Sequence, residues 1–389
     1  MVPVKKTLCS KAWTDLNIDF SKRKLRHCCK TIFEPFPDKL TFDFFNKSTK
    51  IQERRNDLLS GIEHSDCNHC WISYEKTGTA YRDFENRWTK MSDLRYDVRF
   101  IEIMLDNICD MSCIYCDSDF SSKIAAEKKL KQPLIQPIDD DLDVFIAWLT
   151  DLLQSQSSSC TLSFLGGEIT YSKNFFKFIT RLLDATVLHE KEIMISFLTN
   201  GNSDKERLQK MLDLLDTLPK KWSVNICMSN EATGKASELV RWGVSWDKFK
   251  YNLEQYIQHP RVKFLCLSPT PCLFTIPDML TYFEWTFNKV KEYNKKLSIA
   301  GNWIVYPTEI DVARCSVDKK TYVKKTKQLC IDNKDIFAFE TEFNRTLKWL
   351  DLLEERIGTI PLDQDALNKF LDQKAKEKND NIYLLRNYL

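Results

Sequence analysis

The stretch VRFIEIML (98–105), followed directly by DNICDMSCIYCDSD (106–119), decides how this chain is read. The first half is short, bounded by polar residues and rich in β-branched and aromatic side chains, which predicts a strand. The second half sets Cys109, Cys113 and Cys116 at C-x3-C-x2-C spacing in the loop that follows. Three thiolates so spaced can wrap one corner of a cubane cluster and hold three of its four irons. The fourth iron then keeps an open position, as catalytic metal sites require. Zinc sites usually take four protein ligands from paired motifs, so an isolated triplet fits zinc poorly.

Outward from this segment the pattern repeats. Strands are predicted at 98–105, 161–165, 192–198, 222–228, 261–267 and 297–306, each ending in a turn signal such as GGE, TNGN or SPTP. Between them lie helical patterns at 141–153, 173–188, 204–217, 236–258 and 277–294. In the first of these, Leu142, Phe145, Ile146, Leu149, Leu152 and Leu153 form one apolar face. Strands alternating with such helices imply right-handed crossovers and a parallel sheet. The expected class is α/β, a partial (β/α)6 TIM-type barrel, with a doubly wound sheet as the alternative. Either way, ligands bind at the C-terminal ends of the strands, where the cysteine loop sits. Residues 1–92 lack the rhythm and read as a small Cys-rich domain. Residues 93–310 form the barrel, and 311–389 a helical extension whose charged run DQKAKEKNDN reads as a solvated face.

Composition sets the limits. The 389 residues are 43% hydrophobic and 29% charged, enough to bury large cores, and 9 Gly and 12 Pro exclude a collagen-like chain. No apolar run reaches the length of a membrane span, and mean hydropathy is −0.39. Met1 to Ser10 shows no apolar secretory core, so a cytoplasmic location is expected. A net charge of +2 gives no global case for a polyanion partner. Fourteen cysteines are many for such a chain, and in a reducing compartment clustered thiols read as metal ligands or catalytic groups. Scattered ones such as Cys160, Cys227 and Cys266 read as small buried hydrophobes.

The triplet, with Tyr115 before its third cysteine, resembles the motif of radical S-adenosylmethionine (SAM) enzymes, and further features match in order. Gly166, Gly167 and Glu168 after the second strand are similar to the family's GGE motif. Thr199, Asn200 and Gly201 end the third strand as in many members, and Ser229 and Glu231 follow the fourth. RWGVSWDKF (241–249) resembles the family's Arg-x-Gly-x-x-Trp stretch. Two departures stand out: Asp110 lies where Asn is frequent, and Asn230 and Gly234 displace an expected Asp-Gly. The resemblance implies a [4Fe-4S] cluster on Cys109, Cys113 and Cys116, with SAM contacted by Tyr115, Gly166, Gly167, Glu168, Thr199, Asn200, Ser229, Glu231 and Arg241. Glu168 would accept from the SAM amino group, and Arg241 would pair with its carboxylate. Reductive cleavage of SAM to a 5′-deoxyadenosyl radical would then abstract hydrogen from a substrate.

A second cysteine set lies upstream: Cys9, Cys28 or Cys29, and the pair Cys67 and Cys70. Four such thiols can close either a zinc site or a second cluster. The segment resembles a twitch or SPASM domain placed before the barrel, which implies an auxiliary [4Fe-4S] cluster on Cys9, Cys28, Cys67 and Cys70. His27, His64 and His69 read as polar neighbours. Glu75, Gly78 and Arg82 resemble a block found in phage-type twitch proteins. The family implies a peptide or protein substrate and an electron donor such as flavodoxin or ferredoxin, with no membrane. A nucleic acid or nucleotide substrate stays open because of basic runs such as SKRKLR (21–26), as does a non-catalytic iron–sulfur or zinc protein.

Overall fold

The computed structural model describes residues 7–77, 80, 82, 86, 97–130, 138–155, 159–304 and 306–389. Gly78 and the expected boundary at 92–93 lie outside them.

Among the described residues, nine strands form one sheet: β1 (Asp15–Asp19), β2 (Lys24–Arg26), β3 (Glu34–Pro35), β4 (Phe100–Met104), β5 (Cys160–Leu165), β6 (Ile193–Thr199), β7 (Ser223–Met228), β8 (Val262–Leu267) and β9 (Leu297–Ile299). The order is β3-β2-β1-β4-β5-β6-β7-β8-β9. From β4 onward every neighbour is parallel, as right-handed crossovers require. The sheet extends beyond the six expected strands, because β1 pairs parallel with β4 and carries β2 and β3 antiparallel at its outer edge. The Cys-rich segment therefore shares its strands with the main sheet. It also keeps a small core of its own around Leu8, Ala12, Trp13, Leu58 and Trp71.

Helices Asp139–Ser155, Lys173–Asp184, Lys205–Thr217, Trp246–Gln258 and Ile276–Glu292 supply the crossovers. Side-chain oxygens of Ser172 and Asp204 cap two of them by accepting from Phe175 N and Arg207 N. Alternate strand residues bury against this layer. Phe164 of β5 packs its ring 5.0 and 5.1 Å from Phe175 and Phe178. The pattern expected over 236–258 divides into Gly234–Val240 and Trp246–Gln258, because Gly243 turns the chain at φ +109°. The strand expected at 297–306 ends at Ile299, just before Gly301 comes against the Trp349 indole.

The other face of the sheet is polar. Arg26, Asn17, Glu102, Ser163, Ser196 and Asn225 are successive register partners across β2, β1, β4, β5, β6 and β7. On β5 and β7 this face is half-buried, while the helix-facing residues are fully buried. Burial pushes the Glu102 carboxyl up to about 7.

The C-terminal extension comprises helices Lys320–Asp332, Glu340–Arg356 and Gln364–Glu377 and a closing 3-10 segment, Asp380–Tyr388. Its charged run is not wholly a solvated face. The Lys378 side chain is 1% exposed and donates to Ser112 Oγ at 2.7 Å, inside the cysteine loop.

Candidate functional site

Four loops leave the C-terminal ends of β4, β5, β6 and β7 on one edge of the sheet, and their backbones interlock. The Glu168 N–H donates to Ile108 O at 2.7 Å. Gly166 and Gly167 take φ of +92° and +58°, and a Cβ at Gly167 would sit 2.3 Å from Ile108 O. These glycines let the β5 turn close on the cysteine loop. On the other side, Ser112 N and Ile114 N donate to Trp242 O and Val240 O, both at 2.9 Å. Helix Ser122–Glu127 completes the frame, with Ser122 Oγ accepting from Cys109 N at 3.1 Å and Lys123 Nζ donating to Asp110 O at 2.9 Å.

Cys109, Cys113 and Cys116 stand half-buried on this braced loop. Burial pushes all three thiols up, Cys116 to about 12. The donor set and its bracing fit a cluster held at three corners.

Glu168 is fully buried at the centre. Its Oε1 accepts from Thr170 N at 3.2 Å and from Thr170 Oγ1 and Thr199 Oγ1 at 2.8 Å, and its Oε2 accepts from Asn200 N at 2.6 Å. Burial pushes its carboxyl up to about 7 against those four donors. Asn200 Nδ2 and Asn202 Nδ2 donate to Asp110 at 2.8 and 3.0 Å, which ties the acid inside the triplet to the end of β6. The Asp110 departure thus has a partner of its own in this chain.

Arg241 meets Glu231. Its Nε and Nη2 donate to Glu231 Oε2 at 3.0 and 2.7 Å, and Tyr115 Oη donates to Glu231 Oε1 at 2.9 Å. Burial works against the Arg241 charge, and the carboxylate more than offsets it. Arg241 and Glu231 are buried and Tyr115 is half-buried, and the three form one set beside Cys113. Ser229 sits at the same edge, its N–H donating to Thr199 O at 2.9 Å.

Several contributors carry no sequence signal for a site: Thr170, Asn202, Ser112, Glu127 and Lys378. Ser112 Oγ donates to Glu127 Oε1 at 2.9 Å, and Lys378 lies 3.5 Å from Glu127. Only the charged run around Lys378 stood out, and its partner is 266 residues away.

The upstream cysteines also converge. Cys9, Cys28, Cys67 and Cys70 line one pocket with Trp71 and Arg82. Cys29 is not part of that lining. Burial pushes Cys9 up to about 12 and Cys67 to about 11. His27 presents Nδ1 to Arg54 at 2.6 Å, and His64 Nδ1 accepts from Asp66 N at 3.1 Å, so both rings have hydrogen-bonding roles. Among the described residues, no three His, Cys, Asp or Glu side chains close on a single-ion site. The thiols instead surround a space, and Arg82 and Lys30 offer cationic neighbours, which suits a cluster of net negative charge.

No protein-family model matches the chain, and no curated protein matches it. Among solved structures it is similar to native anSMEcpe with bound AdoMet and Cp18Cys peptide (14% identity, 60% of each chain, TM-score 0.41). It is also similar to SuiB of Streptococcus suis (15% identity, 82% of this chain and 68% of that one, TM-score 0.40). TYW1 with a lysine–pyruvate adduct bound is a further match (11% identity, 60% of this chain and 71% of that one, TM-score 0.34). The chain spans 60% of the length of the first of these.

Proposed function

We propose that this chain is a radical SAM enzyme that abstracts hydrogen from a peptide or protein substrate. The observation that carries the reading is the triplet Cys109, Cys113 and Cys116, locked by the Glu168–Ile108 hydrogen bond at the C-terminal edge of a parallel sheet. Cys109, Cys113 and Cys116 would hold a [4Fe-4S] cluster, which would supply the reductive cleavage of SAM that yields a hydrogen-abstracting radical. The protein's part is to bind and orient. Thr199, Asn200 and Ser229 present the ends of β6 and β7 to the cofactor. Glu168, already engaged by four donors, positions the turn, and Arg241 and Glu231 hold Tyr115 beside Cys113.

The polar row from Arg26 to Asn225 is the natural substrate face. Among the described residues, Asn17 Oδ1, Asn225 Oδ1 and Arg26 Nε are buried without a hydrogen-bond partner. Buried polar atoms seek partners, and the amides of a peptide supply both donors and acceptors. Nucleic acid is favoured less, because three of the four basic side chains in the run at 21–26 are paired internally: Lys22 with Asp119 at 2.6 Å, Arg23 with Asp141, and Lys24 with Asp19 at 3.7 Å. Cys9, Cys28, Cys67 and Cys70 would hold an auxiliary [4Fe-4S] cluster, and a flavodoxin or ferredoxin would deliver the electron. No helix of the described residues is long and apolar enough to cross a membrane.

Anaerobic reconstitution with iron and sulfide tests this reading. About eight irons per chain and 5′-deoxyadenosine formed from SAM under dithionite support it. Iron at that level with no cleavage of SAM hands the lead to a non-catalytic iron–sulfur protein.

A further inference from the structure

One pair of nucleophilic side chains meets away from the cysteine loop. Cys227 of β7 and Cys266 of β8 are register partners on adjacent parallel strands, and their sulfurs lie 2.9 Å apart. Neighbouring strands run about 4.7–4.9 Å apart, within the roughly 4.4–6.8 Å Cα separation that a disulfide spans. Both thiols lie on the polar face. Cys227 is two residues beyond Asn225, the last member of the polar row, and Cys266 is paired in register with Ser298. Cys227 is half-buried and Cys266 is buried. The hydrogen bond that Cys227 donates holds the Cys266 thiol below its usual range and raises its own.

We propose that Cys227 and Cys266 form a redox-active dithiol that exchanges with a small disulfide entering along the polar face. Cys227 attacks one sulfur of the disulfide RSSR, forming a mixed disulfide and releasing RS⁻, which takes up the proton that Cys227 gives up. Cys266 then attacks Cys227 Sγ, gives up its proton and releases the second RS⁻. The net change is two cysteine thiols and RSSR to one Cys227–Cys266 disulfide and two RSH, with two electrons passing to the small disulfide. This role is independent of the radical chemistry proposed above.

The test uses the reconstituted protein under anaerobic conditions, equilibrated either with 2-hydroxyethyl disulfide or with 2-mercaptoethanol. Remaining thiols are alkylated, and the chain is digested without reduction for mass spectrometry. The expected result is a Cys227–Cys266 cross-linked peptide at least tenfold more abundant in the disulfide sample, in protein that retains its iron. In Cys227→Ser, Cys266 should be recovered alkylated from both samples. Recovery of both cysteines alkylated in the oxidising sample overturns the proposal. Cross-links that join other cysteines in place of this pair overturn it equally.

Discussion

The backbone N–H of Glu168 donates to the carbonyl of Ile108 at 2.7 Å, joining the turn after β5 to the cysteine loop after β4. The contact is possible only because no side chain intervenes at Gly167, where a Cβ would fall 2.3 Å from that same carbonyl. A dipeptide of glycines thus sets the position of the loop that carries the triplet.

Gly167→Ala tests that relationship. The added methyl meets backbone at a φ of +58°, so the loops must part. The variant should lose roughly 1–3 kcal/mol of stability in thermal or chemical unfolding. After reconstitution it should hold fewer irons at the triplet, with the upstream set still filled. Wild-type stability and iron content would show that the loops yield freely.

Glu168 predicts a pH dependence. Its carboxyl is raised to about 7 in the folded chain by burial, above the ordinary 4.5. The folded state therefore holds the proton more tightly than the unfolded chain. The resulting stabilisation is complete below 4.5 and is lost as pH rises through 7. Glu168→Gln should flatten the stability profile between those values, measured by urea unfolding at each pH. Glu102 of β4 is raised to about 7 as well, so the slope should fall without vanishing.

The pair Glu231–Arg241 is buried on both sides, at 0% and 6% side-chain exposure. Arg241→Ala leaves a carboxylate with only Tyr115 to answer it, and unfolding should register a loss of about 3–5 kcal/mol. The double variant Glu231→Gln, Arg241→Met should cost markedly less. Equal losses in the single and double variants would mean the pair does not act as a unit.

Much of this architecture was legible in sequence, and the failures have physical causes. Strands β4 to β8 lie within two residues of their expected bounds, because each is a short apolar run closed by a turn signal. Strand β1, DLNID, went unread: three of its five residues are polar because they face the other side of the sheet, and its partner β4 is about 85 residues away. The break at Gly243 was visible as a glycine inside a helical pattern, and the reason for it was not. Gly243 O accepts from Asn202, a residue of another loop. The triplet and the glycine turn were readable as local motifs, whereas the Arg241–Glu231–Tyr115 contacts and Lys378 against Ser112 depend on long-range packing.

The choice between Cys28 and Cys29 is one that spacing left open. Cys28 lines the pocket with Cys9, Cys67 and Cys70, and Cys29 does not. Cys28→Ser should remove about four irons per chain after reconstitution, and Cys29→Ser should leave iron unchanged. The opposite pattern would move the ligand by one residue.

Radical SAM chemistry at the triplet is tested by comparing wild type and Cys113→Ala for 5′-deoxyadenosine and methionine formed from SAM under dithionite, with iron counted in the same samples. Wild type should form both products and Cys113→Ala neither, with about four irons retained in the variant by the upstream set. Undiminished 5′-deoxyadenosine from Cys113→Ala would contradict that assignment.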